Sequence, residues 1–169
     1  MPKTLADASI KLTGTTTAPE DAVAASLTDL NGASAVDLMC GINKADYQLG
    51  ATGNATVTEQ EACKQGEGNA PGPATYAGSI TPFWYLDEDR KPVEEEMEVW
   101  DFVKTPNATL HLFEREGKLA TAPWEAGDEY DYYEVITGTP QPPSDRQSGY
   151  IKRVVPLHVQ NHVRGVVSA

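Results

Sequence analysis

The sequence predicts a mostly β fold with one or two helices, a β-sandwich or barrel with a helix packed against it. Three observations carry this expectation. In the last long segment, 150–167, Val155, Leu157, Val159, Val163 and Val167 alternate with Lys152, His158, Gln160, His162 and Arg164. That is the period of two of a strand with one apolar and one polar face. Further runs rich in β-branched and aromatic residues lie between turn residues. Only two stretches have helical spacing, and they do not alternate with strands as a parallel sheet requires. At 169 residues and 40% hydrophobic composition, the chain reads as a single domain, 1–169, able to bury a core.

The elements follow in order. Residues 5–13 read as a first strand ended by Gly14. Thr17 and Glu20 form a capping-box pattern around Pro19, and Val23, Leu27 and Leu30 fall on one stripe, which predicts a helix stopped at Asn31-Gly32. An apolar strand is expected over 35–42. From Gly50 to Thr75 the chain holds five glycines, Pro71 and Pro73 and no aromatic residue, so a long mobile loop is expected at about 50–75. Tyr76 to Leu86 reads as a strand, with Pro82 implying an edge or a bulge. A second helix is predicted from Pro92 at its first position, with Glu94, Glu95 and Glu96 in the first turn and Lys104 in the last. Val93, Met97, Trp100 and Val103 give it an apolar face. Strands over 109–115, 130–137 and 150–167 complete the chain.

Composition narrows function. The net charge of −12 opposes tight binding to nucleic acid, which needs concentrated Lys and Arg. The charge is also segregated: eight acids against two bases over 87–101, five acids and no base over 125–134, and four bases with no acid over 146–164. Acidic and basic elements on one chain suit docking onto copies of itself. No apolar run is long enough to span a membrane, and Met1-Pro2-Lys3-Thr4 opens no secretory leader, so synthesis and retention in a cytosol are expected. Cys40 and Cys63 are too few for a disulfide framework. Free thiols are the first reading, a disulfide formed outside the cell the second.

Chemistry-bearing motifs are absent: no phosphate loop, nucleophile elbow or dinucleotide fingerprint occurs. His158 and His162 have the spacing of a helical metal pair. On the strand that the alternation predicts they point the same way but lie about 13 Å apart, too far to share one ion. No enzyme activity, metal or cofactor is expected.

Several segments resemble a known family. Leu5-Ala6-Asp7-Ala8-Ser9-Ile10-Lys11-Leu12, Leu30-Asn31-Gly32-Ala33, Lys44-Ala45-Asp46-Tyr47 and Tyr76-Ala77-Gly78-Ser79-Ile80-Thr81-Pro82-Phe83 do so in order, as does the C-terminal third from Ala122-Pro123-Trp124-Glu125 to Pro156-Leu157-His158-Val159-Gln160. The resemblance is to the major tail, or tail tube, protein of long-tailed phages of actinobacteria. It implies a β-sandwich with a flanking helix, stacked hexameric rings whose inner strands join into a barrel, and a tube through which DNA passes. The implied partners are the protein itself, the tape-measure protein, the tail terminator and the baseplate hub. The implied location is the virion tail, assembled in the host cytoplasm.

Two sets of site residues follow. Asp128, Glu129, Asp131 and Glu134, with no base near them in sequence, are candidates for the acidic lumen or its rim, a solvated outer face being the alternative. Gly53, Asn54, Glu61, Lys64, Glu67 and Asn69 mark the loop that the resemblance implies reaches a neighbouring ring. The competing reading is a capsid decoration or head–tail joining protein, also β-rich and without catalytic groups.

Overall fold

The computed structural model describes residues 8–57, 63 and 70–169. Among these residues seven strands are formed: β1 (Ile10–Thr15), β2 (Val36–Asp37), β3 (Gln48–Val57), β4 (Ala70–Ile80), β5 (Thr109–Glu116), β6 (Glu129–Thr137) and β7 (Val155–Val166). They join in the order β2-β1-β5-β6-β7-β4-β3, and every pairing is antiparallel. Among the described residues there are two short α-helices, α1 (Leu27–Asn31) and α2 (Glu98–Val103). The mostly β architecture with a flanking helix is the predicted one.

The central strands bury both faces, which is why the fold is layered. Side chains alternate along each strand, so Leu110 and Leu112 of β5 share one face with Tyr133 and Val135 of β6, and Phe113 shares the other with Tyr130 and Tyr132. On the first face these residues cluster with Leu12, Leu38, Ile42, Ile80, Val155 and Leu157, beneath Val99 and Val103 of α2. On the second face, Phe113, Tyr130 and Tyr132 cluster with Ala25, Leu30, Trp124 and Val167. Each fully buried aliphatic or aromatic side chain contributes on the order of 1.5–3 kcal/mol. Gly14 lies inside β1 rather than ending it. A Cβ there would meet the Phe102 ring at 2.5 Å, so the glycine is what lets α2 settle onto the strand.

The structure corrects several local expectations. The first helix does not start at the Thr17–Glu20 pattern. It spans only 27–31, capped by Ser26 and Asp29 in a reciprocal capping box. Residues 22–25 form no helix, because the C-terminal segment offers them backbone partners: Val166 N–H donates to Val23 O, and Ser168 N–H to Ala25 O, each at 2.9 Å. The strand expected over 35–42 shrinks to β2, followed by a 3₁₀ turn at Met39–Gly41. The second helix splits into a 3₁₀ turn at Glu94–Glu96 and α2, whose buried residues are Val99 and Val103. The expected strand over 76–86 ends at Ile80, before Pro82.

The largest correction concerns the loop expected at about 50–75. Over its described residues it forms the arms of a hairpin, β3 and β4, paired from Gln48↔Ser79 out to Val57↔Ala70. Glycine, proline and the lack of aromatics argued against a strand, yet cross-strand backbone bonding prevails. Only Ser79 and Ile80 of β4 pair with β7, so the rest of the hairpin leaves the main sheet.

Candidate functional site: the acidic strand and the projecting hairpin

Asp128, Glu129, Asp131 and Glu134 sit at the start and along the length of β6, and the fold separates them. Asp128 is buried and paired. Its Oδ2 accepts from Arg115 Nη1 at 2.7 Å and from the Glu125 N–H at 3.0 Å, and Lys118 Nζ lies 2.6 Å from its Oδ1. Burial opposes ionisation of Asp128, but the hydrogen bonds from Lys118, the Glu125 N–H and Arg115 outweigh it and hold the carboxyl below its ordinary range. Arg115 also donates to the carbonyls of Pro123, Leu119 and Ala122, so the pair ties down the loop between β5 and β6.

Glu129, Asp131 and Glu134 remain on the strand but not on one face. By the alternation, Glu129 and Asp131 share a face with Tyr133, and Glu134 points to the other beside His111, its partner across the β5–β6 pairing. Asp131 is met by His162 Nε2 at 2.9 Å and Arg164 Nε at 3.3 Å. The bases missing from the local sequence thus arrive from β5, β7 and the β5–β6 loop. On the face of Glu129 and Asp131, buried Glu114 accepts a hydrogen bond from Tyr47, and burial raises its pKa against that bond's pull. On the other face, burial and then Glu134 push the Tyr132 hydroxyl up to about 12, while burial lowers the pKa of His111.

His158 and His162 do not point the same way. Glu134 pairs with Asn161 and Val135 with Val159, which leaves Gln160 as a bulge in β7. The bulge shifts the phase of the alternation, so His158 pairs with Ile136 on one face and His162 with Tyr133 on the other. No metal-binding cluster of three or more His, Cys, Asp or Glu occurs among the described residues. Cys40 and Cys63 are both free and exposed.

Of the six loop candidates, Gly53 and Asn54 lie on β3, exposed, and Asn54 Nδ2 donates to Gly72 O at 2.9 Å across the hairpin. Glu61, Lys64, Glu67 and Asn69 lie outside the described residues. From Ala51 to Val57 every residue is exposed, and from Ala70 to Thr75 all but Gly72 are. This two-stranded arm carries no charged residue over 48–57 or 70–80, in a chain that is 22% charged. Its outer strand, β3, ends the strand order, with no neighbour on its far side among the described residues. An uncharged, exposed strand edge is a template for another chain.

A family model described as phage tail tube protein matches residues 1–169. The chain belongs to that family. The tail tube assignment makes it a structural component of the virion tail that associates with copies of itself into a tube. No curated protein matches the chain. No helix among the described residues is long and apolar enough to cross a membrane.

What the sequence did not show in this tail tube protein is the set of side chains where the hairpin leaves the body. Tyr76 of β4 meets His162 of β7, and His162 meets Asp131 of β6. These residues come from three separate strands and no local motif announces them.

Proposed function

We propose that the chain is the repeating subunit of stacked, hexameric rings that form the tail tube of a long-tailed phage of actinobacteria, and that DNA passes through this tube without binding tightly. The family match over the whole chain is the observation that carries the reading. Head-to-tail contacts between identical subunits close into a ring when the rotation fits, and stacking then extends the tube. The exposed, uncharged arm of β3 and β4 supplies the contact to the neighbouring ring. Its projecting residues are mobile in the free subunit and ordered in the tube.

The acidic residues Glu129, Asp131 and Glu134 contribute to the lumen or its rim, where negative charge repels phosphates and lets DNA slide. Asp128 enters that field only as the neutralised partner of Arg115 and Lys118. Tape-measure, terminator and baseplate-hub proteins complete the assembly, which takes place in the host cytoplasm before the tail joins the virion.

Negative-stain electron microscopy of the purified protein across a concentration series tests the reading. Rings and then tubes are the expected outcome. Monomers or isolated trimers at every concentration, also in the presence of virion tails, overturn it.

A further inference from the structure

We propose that His162 is the positioning residue of the projecting hairpin: with Asp131 and Tyr76 it forms a clasp that fixes the angle at which β3 and β4 leave the sheet. The proposal deepens the tube reading and rests on it for the arm's purpose, but the clasp itself is read from the geometry.

The clasp sits where the hairpin changes from packed to projecting. Tyr76 is half-buried; outward of it, Thr75, Ala74 and Pro73 are exposed. Backbone pairing cannot hold the arm at this level, because β4 pairs with β7 only at Ser79 and Ile80. Side chains take over. The Tyr76 hydroxyl lies 3.2 Å from His162 Nδ1, and the two rings are 5.4 Å apart. On its other side His162 Nε2 lies 2.9 Å from Asp131 Oδ1. With the proton on Nε2, the ring donates to Asp131 and accepts from Tyr76, so both nitrogens are satisfied in one tautomer. Arg164 holds Asp131 from the solvent side at 3.3 Å, and the Tyr133 ring lies 4.7 Å from that of His162.

Two backbone features bring these groups together. The bulge at Gln160 turns His162 onto the face of Tyr133 and Asp131; without it, the side chain would point to the opposite face. Across the hairpin, Gly50 has a φ of +148° and lies over Tyr133, with its Cβ position 3.8 Å from the hydroxyl. A side chain there would be strained in that backbone conformation.

Pulsed electron spin resonance on the monomer tests the clasp apart from assembly. In a background with Cys40→Ser and Cys63→Ser, spin labels are placed through Ala55→Cys on the arm and Leu119→Cys on the exposed loop after β5. The parent gives a distance distribution with a single maximum, whose width reflects the arm's own motion beyond the clasp. His162→Ala and, separately, Tyr76→Phe, which keeps the ring and removes only the hydroxyl, broaden and shift it while the thermal midpoint stays close to the parent's. In the tube assay, the concentration needed for assembly rises roughly fivefold, the factor expected from one hydrogen bond's net contribution.

Unchanged distributions in both variants overturn the clasp. So does loss of global folding in His162→Ala together with an unchanged distribution in Tyr76→Phe. A parent that never forms tubes, with distributions that still broaden in the variants, sinks the tube reading and leaves the clasp standing.

Discussion

Arg115 and Asp128 form the most enclosed ion pair among the described residues, with Nη1 and Oδ2 2.7 Å apart and side chains only 2% and 6% exposed. The guanidinium also lies 5.1 Å over the Trp124 ring, and Trp124 Nε1 donates to Thr13 Oγ1 at 2.9 Å. One buried cation thus connects β1, β5, β6 and the loop that precedes β6. Removing one member of a buried pair leaves the other uncompensated. Asp128→Asn is expected to destabilise the subunit by about 3 kcal/mol in urea titration, and Lys118→Met, at an exposed site, by far less.

The same pair sets an acid limit. The folded-state pKa of Asp128 lies below its unfolded value, so the stability it contributes is present above the unfolded pKa and is lost as pH falls through the folded one. Parent and Asp128→Asn are expected to converge in stability as pH is lowered below about 4. Urea midpoints measured at successive pH values check this; a constant gap between the two proteins down to the lowest pH contradicts it.

Glu114 has the opposite sign. Burial raises its pKa, so the folded state prefers the protonated form, and this residue's contribution to stability declines as pH rises from its ordinary value through the raised one. Glu114→Gln still accepts from Tyr47 without a charge to bury. It is expected to gain on the parent as pH increases from about 4.5, in a parallel pair of pH–stability curves.

Gly165 is a packing requirement. It pairs with Tyr130 across β6 and β7, and a Cβ would lie 2.5 Å from the tyrosine ring and 2.6 Å from Val23 O. Since backbone as well as ring must move, Gly165→Ala is expected to cost about 1–3 kcal/mol, read as a lowered thermal midpoint with the fold retained.

The lumen proposal separates into two because β6 presents its acids to both sides. Glu129→Lys and Glu134→Lys alter opposite faces. Built into virions, the substitution on the lumen side is expected to slow DNA ejection, as phosphates now adhere, and the other to leave it unchanged. Normal ejection rates in both variants, with intact tubes, move the acidic strand to the outside.

Deletion of Gly53 to Gly72 removes the projecting part of the hairpin and spares Tyr76. A folded subunit that forms no tubes is the expected result. In the intact protein, amides of Ala51–Val57 and Ala70–Thr75 are expected to exchange fast in the monomer and slowly in the tube. Equal exchange in both states makes the arm a linker and places the stacking surface elsewhere.

The sequence by itself determined the β class and the positions of β5 and β6, and of the last strand except that β7 begins at Val155 rather than at 150, because alternation, turn residues and apolar content are local properties of the chain. It also carried a family resemblance spread over most of its length, which the family match upholds for the tail tube assignment but does not extend to a host. Tertiary structure decided the rest. Residues 22–25 look helical until β7 offers them backbone partners, and 50–57 and 70–75 look like loop until they pair with each other. Asp128 and Asp131 look unneutralised until Arg115, Lys118, His162 and Arg164 reach them. The two histidines look cofacial until one extra residue, Gln160, reverses the second. In each case the deciding pairing, including the register against β6 that leaves Gln160 as a bulge, is made with another strand or loop, and a chain read by its local periods carries no record of which distant backbone or side chain will supply the next hydrogen bond.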